Sequence, residues 1–247
     1  MAASTPTLPA SFLESPAKDI SASKIDFATS TLPEYQHLYA VVIDGALSRT
    51  ECEELLKAAE ATSNGTWERA MVNVGMGQQR MITDIRNCGR IIWDSKDVVD
   101  RIWSRLADVA EVQEILRLAK VPRIFGNGPA KRNEVWTFTR PNERMRFLKY
   151  TGGEYFHAHQ DGTYETPDRR ERSYFTLHLY LSDAAEKDGG ATAFHSMSMH
   201  TAKDVKVFPK QGRVLIFQHR GLLHSGDEVT GGTKYTMRTD LMYTLDG

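Results

Sequence analysis

Cysteine is nearly absent: Cys52 and Cys88 are the only two in 247 residues, and no Cys-x-x-Cys spacing occurs. That excludes a disulfide framework and a thiolate metal site, so any metal must be held by histidine and carboxylate. A charge excess of either sign is also missing. Lys and Arg total 31 against 32 Asp and Glu, a net charge of -1, which argues against a protein that coats nucleic acid through a generally basic surface. No apolar run approaches the ~20 residues that span a bilayer, and the stretch Met1 to Ile20 has neither a charged nor an apolar leader segment. The chain therefore reads as cytoplasmic, with neither membrane nor nucleic-acid partners. Gly-x-Ser-x-Gly and phosphate-loop patterns are lacking too. Gly75-Met76-Gly77 and Gly126-Asn127-Gly128 have no third glycine and no helix signal after them, and read as turns. The sequon Asn64-Gly65-Thr66 reads as a turn as well.

What is present is ample core material, 40% hydrophobic residues with 26% charged, enough for one large or two small domains. Residues 1–35 are rich in Ala, Ser, Thr and Pro without a sustained period, and read as a flexible N-terminal arm. From Tyr39 the run Tyr-Ala-Val-Val-Ile-Asp suggests a buried strand. Ser48 or Thr50, each three residues before Glu51 or Glu53, forms a capping-box pattern that predicts a helix over 49–62. Between 95 and 119, Val98, Ile102, Leu106, Val109 and Ala110 fall near one face of a second amphipathic helix, broken once. Trp93, Trp103 and Trp136 read as core beneath these helices. The second half changes character, with β-rich runs at about 145–151, 173–182, 204–208, 213–219 and 233–243 between Gly, Asp and Pro clusters. Helices followed by closely spaced strands predict an α+β fold: a sandwich or jelly roll with N-terminal helices packed on one sheet. Residues 36–132 would be the helical supporting region and 133–247 the jelly-roll core of the same domain.

The chemistry concentrates in that second half. His157, His159 and Asp161 follow the Gly152-Gly153 turn, and alternation along extended backbone puts them on one side. His219 and His224 end a later strand. Two histidines and a carboxylate on one face form the facial triad of non-haem Fe(II) oxygenases, which leaves three coordination positions open. The last strand is two-sided: Lys234, Thr236, Arg238 and Asp240 alternate with Tyr235, Met237, Thr239, Leu241 and Tyr243. Lys234 comes ten residues after His224. A hairpin joining the two would bring an ammonium and a hydroxyl beside the metal, where a dicarboxylate can be anchored.

These motifs resemble the prolyl 4-hydroxylase-like branch of the Fe(II)- and 2-oxoglutarate-dependent dioxygenases. The likeness runs from Arg146-Phe147-Leu148-Lys149-Tyr150 through Gly153, Phe156, His159 and Asp161. It continues through Tyr174–Leu181, Gly189-Gly190-Ala191-Thr192-Ala193-Phe194 and His224-Ser225-Gly226 to Lys234, about 100 residues in the same order. The resemblance implies a double-stranded β-helix, with His159, Asp161 and His224 as iron ligands and catalytic centre. It further implies Lys234 as the partner of the distal carboxylate of 2-oxoglutarate, Tyr150 as a hydroxyl to the same co-substrate, and Thr236 beside it; Thr192 is a further candidate. Phe156 stands where the family often has Tyr. His157, His219 and Arg238 are the alternatives to His159, His224 and Lys234. Arg238 and Arg146, with Arg144 nearby, are candidates for a charged group on the substrate, while His37, His178, His195 and His200 read as structural.

The implied activity needs Fe(II), 2-oxoglutarate and O2, with ascorbate supportive, and yields succinate, CO2 and an oxidised, most simply hydroxylated, substrate. Halogenating relatives replace the carboxylate ligand with a small residue, and Asp161 argues against that outcome. Without a peptide-binding domain, the expected substrate is a small or amino-acid-like molecule, as in natural-product oxygenases. Peptidyl hydroxylation of an intracellular protein is the rival, and a catalytically silent metal-binding jelly roll is the alternative from another class.

Overall fold

Helix α1 (Arg49–Thr62) begins where the sequence places it, because Ser48 and Glu51 complete a reciprocal cap: Oγ of Ser48 accepts from the Glu51 N–H, and the Glu51 carboxylate accepts from the Ser48 N–H at 2.7 Å. Its buried face is Cys52, Leu55, Ala58 and Ala59. The protein is described from a computed structural model that covers residues 8–14, 19–75, 78–198 and 203–246. Before α1 lie β1 (Ser21–Lys24) and β2 (Ala40–Asp44). After it come β3 (Glu68–Arg69), a hairpin of β4 (Val72–Gly75) and β5 (Gln78–Arg80), then β6 (Arg86–Asn87) and β7 (Gly89–Asp94). Met76 and Gly77 of the first glycine pair lie outside the described residues, as does His200. The sequon is the turn that follows α1, with Asn64 and Gly65 both at positive φ.

The amphipathic stretch from 95 is not a long helix. It forms α2 (Lys96–Ser104), one turn of α3 (Ala110–Gln113), and then β8 (Arg117–Ala119). From Leu106 the apolar residues recur every third position, Leu106, Val109, Val112, Ile115 and Leu118, a spacing that an α-helix cannot hold on one side. The backbone follows with three-residue hydrogen bonds, Val109 N–H to Leu106, Val112 to Val109 and Ile115 to Val112. Short α4 (Pro122–Phe125) and α5 (Asn127–Lys131) come next, so the second glycine pair opens a brief helix instead of remaining a turn.

The remaining strands are β9 (Val135–Pro141), β10 (Arg144–Thr151), β11 (Glu154–His159), β12 (Glu171–Tyr180), β13 (Thr192–His195), β14 (Asp204–Val207), β15 (Val214–Gln218), β16 (His224–Val229) and β17 (Thr233–Leu245). They pair antiparallel into two sheets. The larger runs β1-β2-β15-β12-β17-β10-β7-β3, with β9 on the far half of β17 and β8 on β9; the smaller runs β14-β13-β16-β11-β6. The chain is thus mostly β, with few helices, and the supporting region contributes β2 to β8 as well as the helices. β17 divides the interior. Met237, Leu241 and Tyr243 join the core containing Leu55, Val98 and Ile102, while Lys234, Thr236 and Asp240 are buried on its other face.

Two further expectations change. β16 and β17 belong to different sheets, so His224 and Lys234 are joined by a crossover and not by a hairpin; the pair meets across the gap between the sheets. The described part of the N-terminal stretch is packed, not loose. β1 pairs with β2, and Phe27, Leu32 and Tyr35 form a second core with Phe194 and Phe217, Phe27 meeting Phe194 edge-on at 5.6 Å. Its apolar residues are held by single turns, too short for a period to show. Among the described residues no helix is long and apolar enough to cross a membrane. Phe27→Ala should cost about 3–5 kcal/mol, read as a lower urea midpoint with unchanged slope; a variant as stable as the parent would show that this stretch does not support the small sheet.

Candidate active site

His159 ends β11 and His224 begins β16, directly opposite one another in the small sheet. Their rings lie 4.4 Å apart. Nδ1 of His159 is 2.8 Å from the carbonyl of His157, and Nδ1 of His224 is 3.1 Å from the carbonyl of Leu222. A carbonyl only accepts, so both Nδ1 atoms carry the proton and each Nε2 presents a lone pair. Asp161 completes the group, with its oxygens 3.6 Å and 3.8 Å from the two Nε2 atoms. The three donor atoms lie within 4.8 Å of one another, the one such cluster among the described residues. Nε2 of His159 is buried without a hydrogen-bond partner. The donor set fits a divalent metal.

Irregular pairing between Phe156 and His159 interrupts the alternation predicted for this segment. His157 is therefore turned outward and exposed, its ring tilted against that of Tyr155 at 4.4 Å. His219 is buried, 3.7 Å from Asp240, and stands apart from the cluster. Burial alone would raise the Asp161 pKa, but Arg238, 2.9 Å away, and the nearby imidazoles hold it well below the usual carboxylate range. Thr176 donates to its other oxygen at 2.5 Å. Burial lowers His224 to about 4, against the pull of Asp161, so its ring is neutral at physiological pH.

A narrow cleft of about 40 Å³ lies between the sheets at this point. Lys234 enters it from the larger sheet. The side chain is 2% exposed, and Gly190 at φ +74° lets the smaller sheet pack onto its stem, where a Cβ would stand 3.3 Å from Lys234 Cδ. The ammonium lies 5.0 Å from the centre of the Tyr150 ring, and no acid pairs with it among the described residues. Burial lowers its pKa to about 8. Tyr150 is opposite Lys234 in register, and the Thr236 hydroxyl is buried without a partner. An ammonium and an orphaned hydroxyl in one buried corner fit a carboxylate.

Two residues here escaped the sequence reading. His178, read as structural, lines the cleft opposite Arg238 with Nε2 unpaired, and burial keeps it neutral. The alternation of Thr176, His178 and Tyr180 along β12 carried that signal. Arg86 is buried over Phe156, its guanidinium 4.5 Å from the ring centre, and Phe156 stacks on His159 at 3.7 Å. Phe156 thereby joins a cation to the His159 imidazole. No pattern around Arg86 announces this. Thr192 accepts from the Tyr180 hydroxyl at 2.7 Å. Arg146 sits opposite Arg238 with Nη1 3.2 Å from Asp240, while Arg144 pairs with Asp94.

Residues 145–239 match the 2OG-Fe(II) oxygenase superfamily. No curated protein matches the sequence. Among solved structures, a viral collagen prolyl hydroxylase from Paramecium bursaria Chlorella virus-1, in its 2OG complex, is 22% identical with a TM-score of 0.51, over 84% of this chain and 97% of the other. A Pseudomonas putida prolyl-4-hydroxylase is 13% identical with a TM-score of 0.54, over 87% and 94%. A Trichoplax adhaerens prolyl hydroxylase, in complex with a hypoxia inducible factor oxygen degradation domain peptide fragment, is 16% identical with a TM-score of 0.54, over 87% and 88%. The segment matched by the 2OG-Fe(II) oxygenase superfamily contains His159, Asp161, His224 and Lys234, and the chain around it shares its fold with these prolyl hydroxylase structures.

Proposed function

We propose that this chain hydroxylates an unactivated C–H bond of a small, amino-acid-like molecule, converting 2-oxoglutarate to succinate and CO2 in the same cycle. The observation that carries the reading is one cleft with two poles: three convergent donors on one side and, on the other, a buried ammonium that no acid among the described residues pairs with. We read the two sheets as a double-stranded β-helix formed mainly by residues 133–247, with 36–132 bracing it, in a cytoplasmic protein.

In this reading His159, Asp161 and His224 would hold Fe(II). The bound iron, with O2 and 2-oxoglutarate, supplies the oxidising power for C–H cleavage, and ascorbate sustains turnover by keeping the metal ferrous. Lys234, Tyr150 and Thr236 receive the distal carboxylate and so fix which end of the co-substrate meets the metal. Arg238 and Thr176 each occupy one oxygen of Asp161 and set the rotation of that carboxylate. Leu148, Phe156 and Phe217 line the same cleft and exclude water. A second reading, peptidyl hydroxylation of an intracellular protein, is favoured by the structural relative solved with a peptide. Succinate release from the iron-loaded protein, with separate pools of metabolites and peptides, tests both: acceleration by peptides alone would replace the first reading with the second, and no succinate at all would leave a silent metal-binding protein.

His159→Ala or His224→Ala should reduce Fe(II) binding and succinate release to background while the fold persists; parent-like succinate in either variant would overturn the ligand assignment. Lys234→Ala should weaken 2-oxoglutarate binding about 10–100-fold, the loss of one charge-assisted hydrogen bond, with a larger effect on KM than on kcat. An unchanged requirement would move the anchor to Arg238. Because the Lys234 pKa is lowered to about 8 from 10.5, co-substrate affinity should be flat below pH 8 and fall about tenfold per pH unit above it. The unfolded chain binds more protons between those two values, so the ligand-free protein should gain stability as pH rises from 8 to 10. Titration of affinity and of melting temperature against pH checks both signs.

A further inference from the structure

We infer that the substrate carries a carboxylate, and that Arg146 and Arg238 seat it at the mouth of the cleft; this rests on the oxygenase reading above and adds the charge and the anchor. On the inner face of the larger sheet His178, Arg238, Arg146 and Ile92 stand directly across from one another on β12, β17, β10 and β7. Like charges opposed across an antiparallel pair destabilise it. The available compensation is thin. Asp240 is shared, its oxygens 3.2 Å from Arg146 Nη1 and 3.6 Å from Arg238 Nη2, and the other acid on Arg238 is the metal-site residue Asp161 at 2.9 Å.

Charge balance in the loaded site sharpens the point. A divalent metal and a dianionic co-substrate cancel. What remains around the cleft is four cations, Arg86, Arg146, Lys234 and Arg238, against two carboxylates, Asp161 and Asp240, so the site is left positive. Unused donors point the same way. Arg238 Nε is buried with no partner, and Arg146, 26% exposed, has one ion pair, through Nη1. Two guanidinium groups side by side with free N–H groups suit the two oxygens of a carboxylate. Contact between Arg238 and Asp161 means that an anion bridging the pair sits next to the metal ligands, with its carbon chain starting there. Ile92, opposite Arg146, is 41% exposed and supplies an apolar wall for that chain.

The test uses the protein loaded with Fe(II), 2-oxoglutarate and ascorbate, and a panel of amino, aliphatic and aromatic monocarboxylic acids paired with their primary amides. Succinate release in air and melting temperature under anaerobic conditions are both read. The acids should accelerate succinate release and raise the melting temperature, with each amide at least about tenfold less effective. Arg146→Gln should lower the acid-to-amide preference about tenfold, and Arg146→Lys should restore part of it. Equal response to acids and amides, binding of neither while basal succinate release continues, or an acid-to-amide ratio unmoved in Arg146→Gln would each overturn the anion seat. Absence of succinate in every arm, the basal one included, would instead overturn the oxygenase reading and this inference with it.

Discussion

A strand that is apolar on one side and ionic on the other can be buried only if both sides are given what they require, and β17 imposes that demand on the whole molecule. Met237, Leu241 and Tyr243 need an apolar cover, which α1 and α2 provide. Lys234, Thr236, Arg238 and Asp240 need polar company out of bulk water, and the smaller sheet closes over Lys234 and Arg238 as a cleft with His159 and His224 on its opposite wall. Burying a charge without a partner is expensive. The second sheet, the crossover from β16 and the close approach at Gly190 all serve the geometry in which that expense is tolerated.

Part of the cost is visible as unpaired atoms around the cleft. His159 Nε2, His178 Nε2 and Arg238 Nε are buried without hydrogen-bond partners in residues that line the cleft, and Thr236 Oγ1, two residues from Lys234 on the same strand, is unpaired as well. Folding left these groups unsatisfied where bound molecules can satisfy them. The carbonyl bonds to both Nδ1 atoms and the Arg238 and Thr176 contacts to Asp161 hold the donors in place without help from a metal, so the site is arranged before it is filled.

Much of this was legible because chemistry and spacing coincide. His159 and Asp161 are separated by one residue, Lys234 trails His224 by ten, and the two-residue alternation of β17 is unbroken from Lys234 to Asp240. The cap at Ser48 and Glu51 is local, and α1 was readable for the same reason. What failed depended on distant partners. The irregular pairing that turns His157 outward arises from pairing with β16, and the sheet change after Val229 cannot be told from a hairpin by turn residues alone. Three-residue spacing from Leu106 to Leu118 imitates a helix until the hydrogen bonds are seen. Phe27 and Tyr35 gain their meaning from Phe194, far along the chain, and Arg86 gains its own from Phe156.

The crossover between β16 and β17 has a consequence for measurement of length. Thr230 and Gly231 donate their N–H groups to Asp188, and Gly190 donates to Glu228, so the passage from one sheet to the other is pinned from outside. His224 stands at one end of this braced path and Lys234 at the other. The separation between them is therefore a property of the backbone, a fixed caliper, and in the oxygenase reading a diacid held between the metal and Lys234 would be gauged by the number of its carbons before any side chain inspects its identity.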